Sequence, residues 1–315
     1  MSSIQQLEYL LAVDRYRHFG KAAESCHVTQ PTLSMQIQKL EEEMGLSIFD
    51  RSKKPILATE IGRKVIDQAR VVVAEFKKIE QLKEAESAEI RGTLRLGIIP
   101  TLSGSIIPLF AEKCLETYPE LKLEFSELQT QQCLDSLETD QLDAAILVTP
   151  LPNEQFEERV LFYEPFFVYA NPDHPLGKLT KVDEKDVEAS GLWLLSEGHC
   201  FRNQALRICG KKGKDTGLQS KIKLEGGSLT TLMKIVEGLG GFTLLPELSR
   251  ADARVGKARV VDFKPPYPTR EVSLVYRRKQ LKDRLLAALH GVIRESLPDS
   301  ITQLKRKDLQ LVRIE

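Results

Sequence analysis

The sequence lacks the features that mark secreted, membrane and metal-binding chains. No apolar run approaches the roughly 18 residues of a membrane-spanning helix. The N-terminus opens into an amphipathic stretch, without the basic and apolar regions of a secretory leader. No Cys-x-x-Cys pair or other metal-type spacing occurs, so no metal and no cofactor is expected. The five cysteines, odd in number and irregularly spaced, do not form a secreted disulfide framework. Nor is there a surplus of charge: 45 Lys and Arg balance 45 Asp and Glu, so any nucleic-acid contact must come from a local patch. These absences predict a soluble protein of the reducing cytoplasm, with no membrane partner, where a disulfide is usually transient and regulatory. At 315 residues and 42% hydrophobic content, the chain is long enough for two or more domains.

Residues 1–58 read as a compact helical unit. Leu7, Leu10, Leu11 and Ala12 mark the apolar side of a first helix. A short helix from Gly20 to Cys26 carries Ala22 and Ala23, small enough for a neighbouring helix to approach closely. After the turn at His27 and Val28, Thr29-Gln30-Pro31 opens another helix. Pro31 sits in its first turn, where the missing N–H costs nothing, and Gly45 stops it. Ile48-Phe49 and Ile56-Leu57-Ala58 flank the turn Asp50–Pro55 as a small β-wing. Helix, turn, helix and wing is an arrangement for double-stranded DNA. Gln30, Pro31, Thr32, Ser34 and Gln36 form the helix opening, with side chains able to hydrogen-bond base edges or phosphates. Arg51, Lys53 and Lys54 cluster at the wing, facing the flanking backbone. Glu41-Glu42-Glu43 would repel phosphate, but lies at the far end of the helix.

Residues 59–92 read as a long helix and hinge. Thr59 caps the helix, and Ile61, Val65, Ala69, Val72, Phe76, Ile79 and Leu82 recur in steps of three and four, a coiled-coil-like seam that needs a partner. Dimerisation is therefore expected. From Thr93 the pattern alternates strand with helix, with Leu94, Leu96 and Ile98 alternating in a first strand and Gly191–Leu195 expected as a strand of the second lobe, which predicts a parallel sheet. Two α/β lobes follow: lobe I from residues 93–163 and 266–300, lobe II from residues 164–265. The cleft between them is a natural ligand site. Residues 301–315 form a tail without a recognisable motif.

One pair of residues stands out. Cys200 and Cys209 are nine positions apart, in a stretch that reads as a helix with Phe201, Ala205 and Ile208 on one face. In a continuous helix they would be about 13 Å apart along the axis, whereas a disulfide needs Cα atoms within roughly 7 Å. Bonding them would unwind the helix. His199 and Arg202 are cationic neighbours that favour a thiolate. The plain alternative is that both are small buried hydrophobes, as most intracellular cysteines are. Cys26, Cys114 and Cys133, in apolar helical contexts, are read as structural.

Ala22-Ala23, Thr29-Gln30-Pro31, Ser34, Ile37, Leu40-Glu41, Gly45, Ile48-Phe49 and Arg51 together resemble the N-terminal signature of the LysR-type transcriptional regulators. That resemblance implies an N-terminal all-α winged helix-turn-helix and a long linker helix. It also implies an α/β effector domain of two lobes like that of periplasmic binding proteins. Gly198-His199-Cys200, Cys209, Ile99-Pro100-Thr101, Gln129-Thr130 and Arg270 ahead of Leu274-Val275-Tyr276-Arg277 resemble the hydrogen peroxide-sensing members of that family. By this resemblance Cys200 is the peroxidatic cysteine and Cys209 the resolving one. Thr101, Thr130 and His199 line the peroxide pocket, and Arg270 stabilises the thiolate. Asn203 stands where some relatives carry an acidic residue, which puts one local ion pair in doubt.

The expectation is a DNA-binding activator of oxidative-stress genes. It would act through a reversible Cys200–Cys209 disulfide as a homodimer or homotetramer that recruits RNA polymerase. The main alternative is a LysR-type regulator that binds a small metabolite in the cleft. A thiol peroxidase is the enzymatic alternative, against which the helix-turn-helix weighs.

Overall fold

The computed structural model describes residues 3–53, 55–85, 90–152, 155–196, 200–210, 222, 228–278 and 282–313. Contacts divide the chain into two units, the first made of residues 1–88 with 138–141 and the second of the rest.

In the first unit α1 (Ile4–Tyr16) starts at a capping box. Ser3 Oγ accepts from the Gln6 amide at 3.2 Å while Gln6 Oε1 accepts from the Ser3 amide at 2.9 Å. α2 (Phe19–Ser25) is capped by the His18 ring, whose Nδ1 accepts from Gly20 and Lys21 amides. α3 (Gln30–Met44) is capped by Thr29 and ended by Gly45 at φ 67°, a left-handed position suited to glycine. β1 (Phe49–Asp50) and β2 (Leu57–Ala58) pair antiparallel as the wing. α4 (Glu60–Ala85) begins at Thr59, whose Oγ1 accepts from the Gly62 amide at 2.9 Å and donates to the Ser47 carbonyl at 2.8 Å. Leu10, Val13, Ala22, Leu33, Ile37, Leu40 and Ile48 form the core of this unit.

The expected seam on α4 is only partly a free surface. Ile66, Ala69 and Val73 are buried, the first two in this unit's own core. Ile61, Val72, Phe76 and Ile79 remain exposed. Packing on its own chain thus claims one face of the helix, and a neighbouring face stays uncovered. The side chain of Leu82 lies outside the described residues.

In the second unit the chain runs β3 (Gly92–Ile98), α5 (Pro100–Thr117), β4 (Leu121–Glu127), α6 (Thr130–Glu138), β5 (Ala144–Thr149), β6 (Phe156–Ala170) and β7 (Lys181–Val182). It continues through α7 (Cys200–Ile208), α8 (Leu229–Leu239), β8 (Phe242–Pro246), α9 (Arg250–Val255), β9 (Arg259–Phe263), β10 (Tyr267–Arg277), α10 (Asp283–Glu295), α11 (Asp299–Thr302) and β11 (Leu309–Leu311). The strands join in the order β4-β3-β5-β10-β6-β9-β7, with β8 on β6 and β11 on β10.

β3 pairs parallel with β4 and β5, as strand-helix alternation predicts, but β10 runs antiparallel to both β5 and β6, so the sheet is mixed. β6 is the long element: its first part pairs with β10, and Phe166–Ala170 pairs with β8 and β9. The sequence position 163/164, drawn as a lobe boundary, falls inside this strand. Two apolar cores lie along it. One gathers Leu96, Ile106, Phe110, Ile146, Leu274 and Leu289; the other gathers Phe167, Trp193, Phe201, Val236, Leu244 and Val261.

One strand expected from sequence does not form. Gly191–Leu195 is not a strand but touches β8 through an isolated bridge, Leu192 to Phe242. The bridge carries two backbone bonds, from the Phe242 amide to the Gly191 carbonyl at 3.0 Å and from the Trp193 amide to the Phe242 carbonyl at 2.8 Å, and Trp193 Nε1 donates to the Gly240 carbonyl at 2.8 Å. The tail, which shows no motif in sequence, adds a strand. β11 pairs parallel with Tyr267–Thr269 of β10, and Val312 is buried in the second core. A short strand that borrows its ladder from a distant partner leaves no periodicity in sequence.

Candidate functional site

Arg270, on β10, is fully buried, and its cross-strand partner on β6 is Glu164, also fully buried. A charge removed from water needs an opposite charge and filled hydrogen bonds, and the site supplies both. Arg270 Nη2 and Nε donate to Glu164 Oε2 at 2.7 and 2.9 Å. Nη1 donates to Thr101 Oγ1 at 3.1 Å and Nη2 to the Thr101 carbonyl at 3.2 Å. The guanidinium carbon lies 6.0 Å from the Phe166 ring centroid. The second Glu164 oxygen, Oε1, accepts from the Leu248 amide at 2.8 Å.

Cys200 is the first residue of α7 and is buried. Burial pushes its thiol up, against the opposing pull of the Arg270 charge, a hydrogen bond from the Thr130 hydroxyl and the amides of Phe201 and Cys200 itself. Burial is the largest of these influences, and the net direction is upward. Of the two cationic neighbours expected from sequence to favour a thiolate, Arg202 turns away and donates to the Leu195 carbonyl at 3.1 Å, and the cation near the sulfur comes from β10 instead. His199 lies outside the described residues.

Thr101 is not a helix cap: the N-cap of α5 is Ile99, and the Thr101 hydroxyl faces Arg270. Thr130 opens α6 with its hydroxyl toward Cys200. The structure thus brings Thr101, Thr130, Cys200 and Arg270 together from four different elements. Glu164 and Phe166 belong to the same cluster, and sequence reasoning missed both. A signal was present: Glu164 is a lone carboxylate within the apolar run Leu161–Phe167.

Cys209 follows α7 directly. Its amide still donates to the Ala205 carbonyl at 3.0 Å, and Gly210 at φ 65° then ends the helix. It lies in the core that also holds Phe201, Ala205 and Ile208, whereas Cys200 belongs to the other core. Burial, with Glu184 adding repulsion, pushes the Cys209 thiol up to about 12. Both cysteines are free, separated by an ordered helix. Cys114 and Cys133 are fully buried, whereas Cys26 is half-buried. Among the described residues no cluster of His, Cys, Asp and Glu has the makings of a metal site.

In the first unit Gln30 and Pro31 are exposed at the start of α3, and Thr32 and Ser34 are half-buried. The Thr32 hydroxyl is 2.8 Å from that of Thr29, and Gln36 accepts from Gln6 at 3.2 Å. Lys53 is exposed and Lys54 lies outside the described residues. Arg51 is committed within the chain: it binds Glu41 at 2.7 Å and its guanidinium lies 5.3 Å from the Phe19 centroid. Glu41 also accepts from the Ile48 and Phe49 amides at 2.7 and 3.1 Å. It is a clamp between α3 and the wing, not a free charge that repels phosphate. The exposed Met35 on the same helix was not anticipated.

The profile of the bacterial regulatory helix-turn-helix proteins of the LysR family matches residues 4–63, and that of the LysR substrate-binding domain matches residues 87–298. The chain belongs to the LysR family. This LysR-family chain is 37% identical over 278 residues to the DNA-binding transcriptional dual regulator OxyR of Escherichia coli, covering 87% of this chain and 89% of the other. It is 36% identical to a hydrogen peroxide-inducible genes activator of Haemophilus influenzae, covering 87% and 90%. Among solved structures, a variant of full-length OxyR from Pseudomonas aeruginosa superposes with a TM-score of 0.75 at 32% identity, covering 93% of this chain and 98% of that one. A hydrogen peroxide-bound OxyR mutant from Corynebacterium glutamicum gives 0.61 at 25% identity, covering 94% and 92%. The second unit accordingly has the periplasmic-binding-protein-like fold of LysR effector domains, with a mixed sheet and flanking helices. No described helix is long and apolar enough to cross a membrane.

Proposed function

We propose that this LysR-family regulator senses hydrogen peroxide in the cytoplasm through Cys200 and converts its oxidation into altered promoter contact. The observation that carries the reading is the setting of the Cys200 sulfur. It lies at a helix N-terminus beside a fully buried arginine and a threonine hydroxyl, with a second free thiol at the far end of the same helix.

The chemistry follows from that setting. The sulfur attacks one oxygen of hydrogen peroxide, the O–O bond breaks, and the other oxygen leaves as hydroxide, taking up the thiol proton as water. Cys200 becomes a sulfenic acid. Thr101, Thr130, Arg270 and the adjacent His199 orient the peroxide and stabilise the leaving oxygen. The Cys209 thiol then attacks the sulfenic sulfur, expelling a second water and forming the Cys200–Cys209 disulfide. Because α7 separates the two sulfurs, bond formation remodels residues 201–209, and that refolding is the output.

The output reaches double-stranded promoter DNA through the homodimer or homotetramer built on α4. Gln30, Pro31, Thr32, Ser34 and Gln36 approach the groove, and Lys53 and Lys54 the flanking phosphates, while Arg51 holds the wing to α3 through Glu41. A change in effector-domain pairing alters the spacing of the reading heads, and the oxidised form recruits RNA polymerase. Cys200→Ser tests the reading. A wild-type footprint that shifts with peroxide and a variant footprint that does not are expected, together with a Cys200–Cys209 peptide in the mass spectrum of the oxidised wild type. An unaltered peroxide response in the variant would overturn it.

A further inference from the structure

We propose that Glu164 is a positioning residue for Cys200 oxidation, fixing the plane of the Arg270 guanidinium and offsetting part of its charge at the sulfur. This rests on the peroxide-sensing reading of Cys200. The carboxylate is held on both sides. One oxygen takes two guanidinium donors, at 2.7 and 2.9 Å, and the other takes the Leu248 amide at 2.8 Å. Neither carboxylate nor guanidinium can rotate without breaking several hydrogen bonds in a site closed to water. The remaining guanidinium donor is thereby aimed at Thr101 Oγ1.

Among the described residues few charges face the sulfur. β10 brings Arg270 to it, and β6 brings Glu164 behind it. α6 brings the neutral Thr130 hydroxyl, and Arg202 of α7 is bonded away to Leu195. An arginine without its carboxylate would act on the sulfur with its full charge at low dielectric. Glu164 therefore lessens the pull of Arg270 on a sulfur that burial already pushes toward the neutral thiol, while leaving the donors in place for the oxygen that departs.

Glu164→Gln keeps the shape and removes the charge. Iodoacetamide labelling of Cys200 in the full chain should speed up on the order of tenfold at neutral pH, its pH profile moving down by about one unit. Glu164→Asp should restore the wild-type labelling profile while oxidising more slowly with peroxide, because the shorter carboxylate misplaces the guanidinium. A Gln profile superimposable on wild type would overturn the proposal. If the Gln variant does not fold, an Asp variant with the wild-type peroxide rate would overturn it instead. Failure of the peroxide reading is a separate outcome: wild-type Cys200 would not be oxidised at all, and the labelling profile would still decide the role of Glu164.

A different observation carries a second inference, also resting on the disulfide reading. Gln204, fully buried in the middle of α7, donates from Nε2 to the Val312 carbonyl at 2.9 Å, while its Oε1 has no partner among the described residues. Val312 shares a core with Phe201, Ala205, Ile208 and Cys209, and its amide donates to the Thr269 carbonyl at 2.9 Å, next to Arg270. We infer that the C-terminal strand is a latch on the dithiol form: it holds α7 helical and is released when the disulfide forms.

Hydrogen exchange on the full chain should show residues 309–313 protected in the dithiol form and exchanging faster in the disulfide form. Deleting residues 309–315 should shift the equilibrium in a glutathione buffer toward the disulfide, on the order of tenfold. Gln204→Ala should loosen the tail even with both thiols free. Equal tail protection in Gln204→Ala and wild type would overturn the latch whether or not a disulfide ever forms. If the disulfide forms and tail exchange is unchanged, the latch also falls, while the disulfide reading stands.

Discussion

Glu41 of α3 and Arg51 of the wing are joined at 2.7 Å, and the same carboxylate accepts the Ile48 and Phe49 amides. One side chain thus ties the wing to the helix whose opening is read as the DNA-contacting surface. Hydrogen bonds to a charged group contribute about 1.5–3 kcal/mol each, partly offset here by exposure of Arg51. Glu41→Ala should destabilise the first unit by about 2 kcal/mol in chemical denaturation. It should also weaken DNA binding across all sequences alike, because the wing is loosened while α3 is untouched. Unchanged stability would show the clamp to be idle.

Gly62 of α4 touches the Ile48 carbonyl so closely that a β-carbon there would collide with backbone. Gly62→Ala should cost about 1–3 kcal/mol by displacing the helix from the wing, despite the higher helix propensity of alanine. Thermal melts that show stabilisation would contradict the geometry.

Val72, Phe76 and Ile79 leave an apolar stripe on α4, with Ile79 62% exposed. If this stripe seats a second copy, Ile79→Glu buries an unpaired carboxylate in the interface. Self-association measured by analytical ultracentrifugation should then weaken on the order of tenfold or more, an energy of about 1.4 kcal/mol. An unchanged sedimentation profile would place the dimer elsewhere.

Asp143 is buried and accepts from the Arg95 amide at 2.8 Å, the Arg95 guanidinium at 2.9 Å and Lys282 Nζ at 2.9 Å. Desolvation raises its carboxyl pKa, but Arg95 and Lys282 outweigh it and hold the group below the usual carboxylate range. A depressed folded value means the contribution is complete above the unfolded pKa and is lost as pH falls through the folded one. The second unit should therefore lose stability below the ordinary aspartate range, and Asp143→Asn should flatten that part of the pH profile. The same variant should cost about 1–3 kcal/mol at neutral pH, since half-exposed Arg95 and largely buried Lys282 lose the charged acceptor between them.

Burial is the largest influence on Cys200 and raises its thiol above the ordinary value. The rate of sulfenic acid formation, followed by stopped-flow with peroxide in excess, should therefore climb with pH through and beyond the ordinary thiol range. A rate that is flat from mildly acid to alkaline pH would mean the sulfur is already ionised.

Local signals explain which parts of the fold were legible. Thr29, Pro31 and Gly45 bound α3 because capping, a fixed φ and a left-handed turn are properties of single residues. The alternation of Leu94, Leu96 and Ile98 marks β3 because a strand buried on one face repeats every two residues. At the site, Cys200, Cys209, Thr101, Thr130 and Arg270 were singled out from sequence, but their chemistry was misjudged where it depends on distant partners. Arg202 is adjacent in sequence yet points to Leu195, whereas Arg270 is seventy positions away and reaches the sulfur's neighbourhood. Glu41 was read as a repelling charge because its partners, Ile48, Phe49 and Arg51, are close only after the wing folds back.

Sequence alone determined the helix-turn-helix, the first strand of the α/β unit and the helix between two cysteines, because caps, periodicity and turn residues act over a few positions. Tertiary structure alone decided that β6 and β10 run antiparallel between two cores, that Glu164 meets Arg270, and that Val312 meets Gln204. Those relationships depend on which strand lies beside which, and on the need to pair every polar group removed from water, a need that only the folded chain can meet.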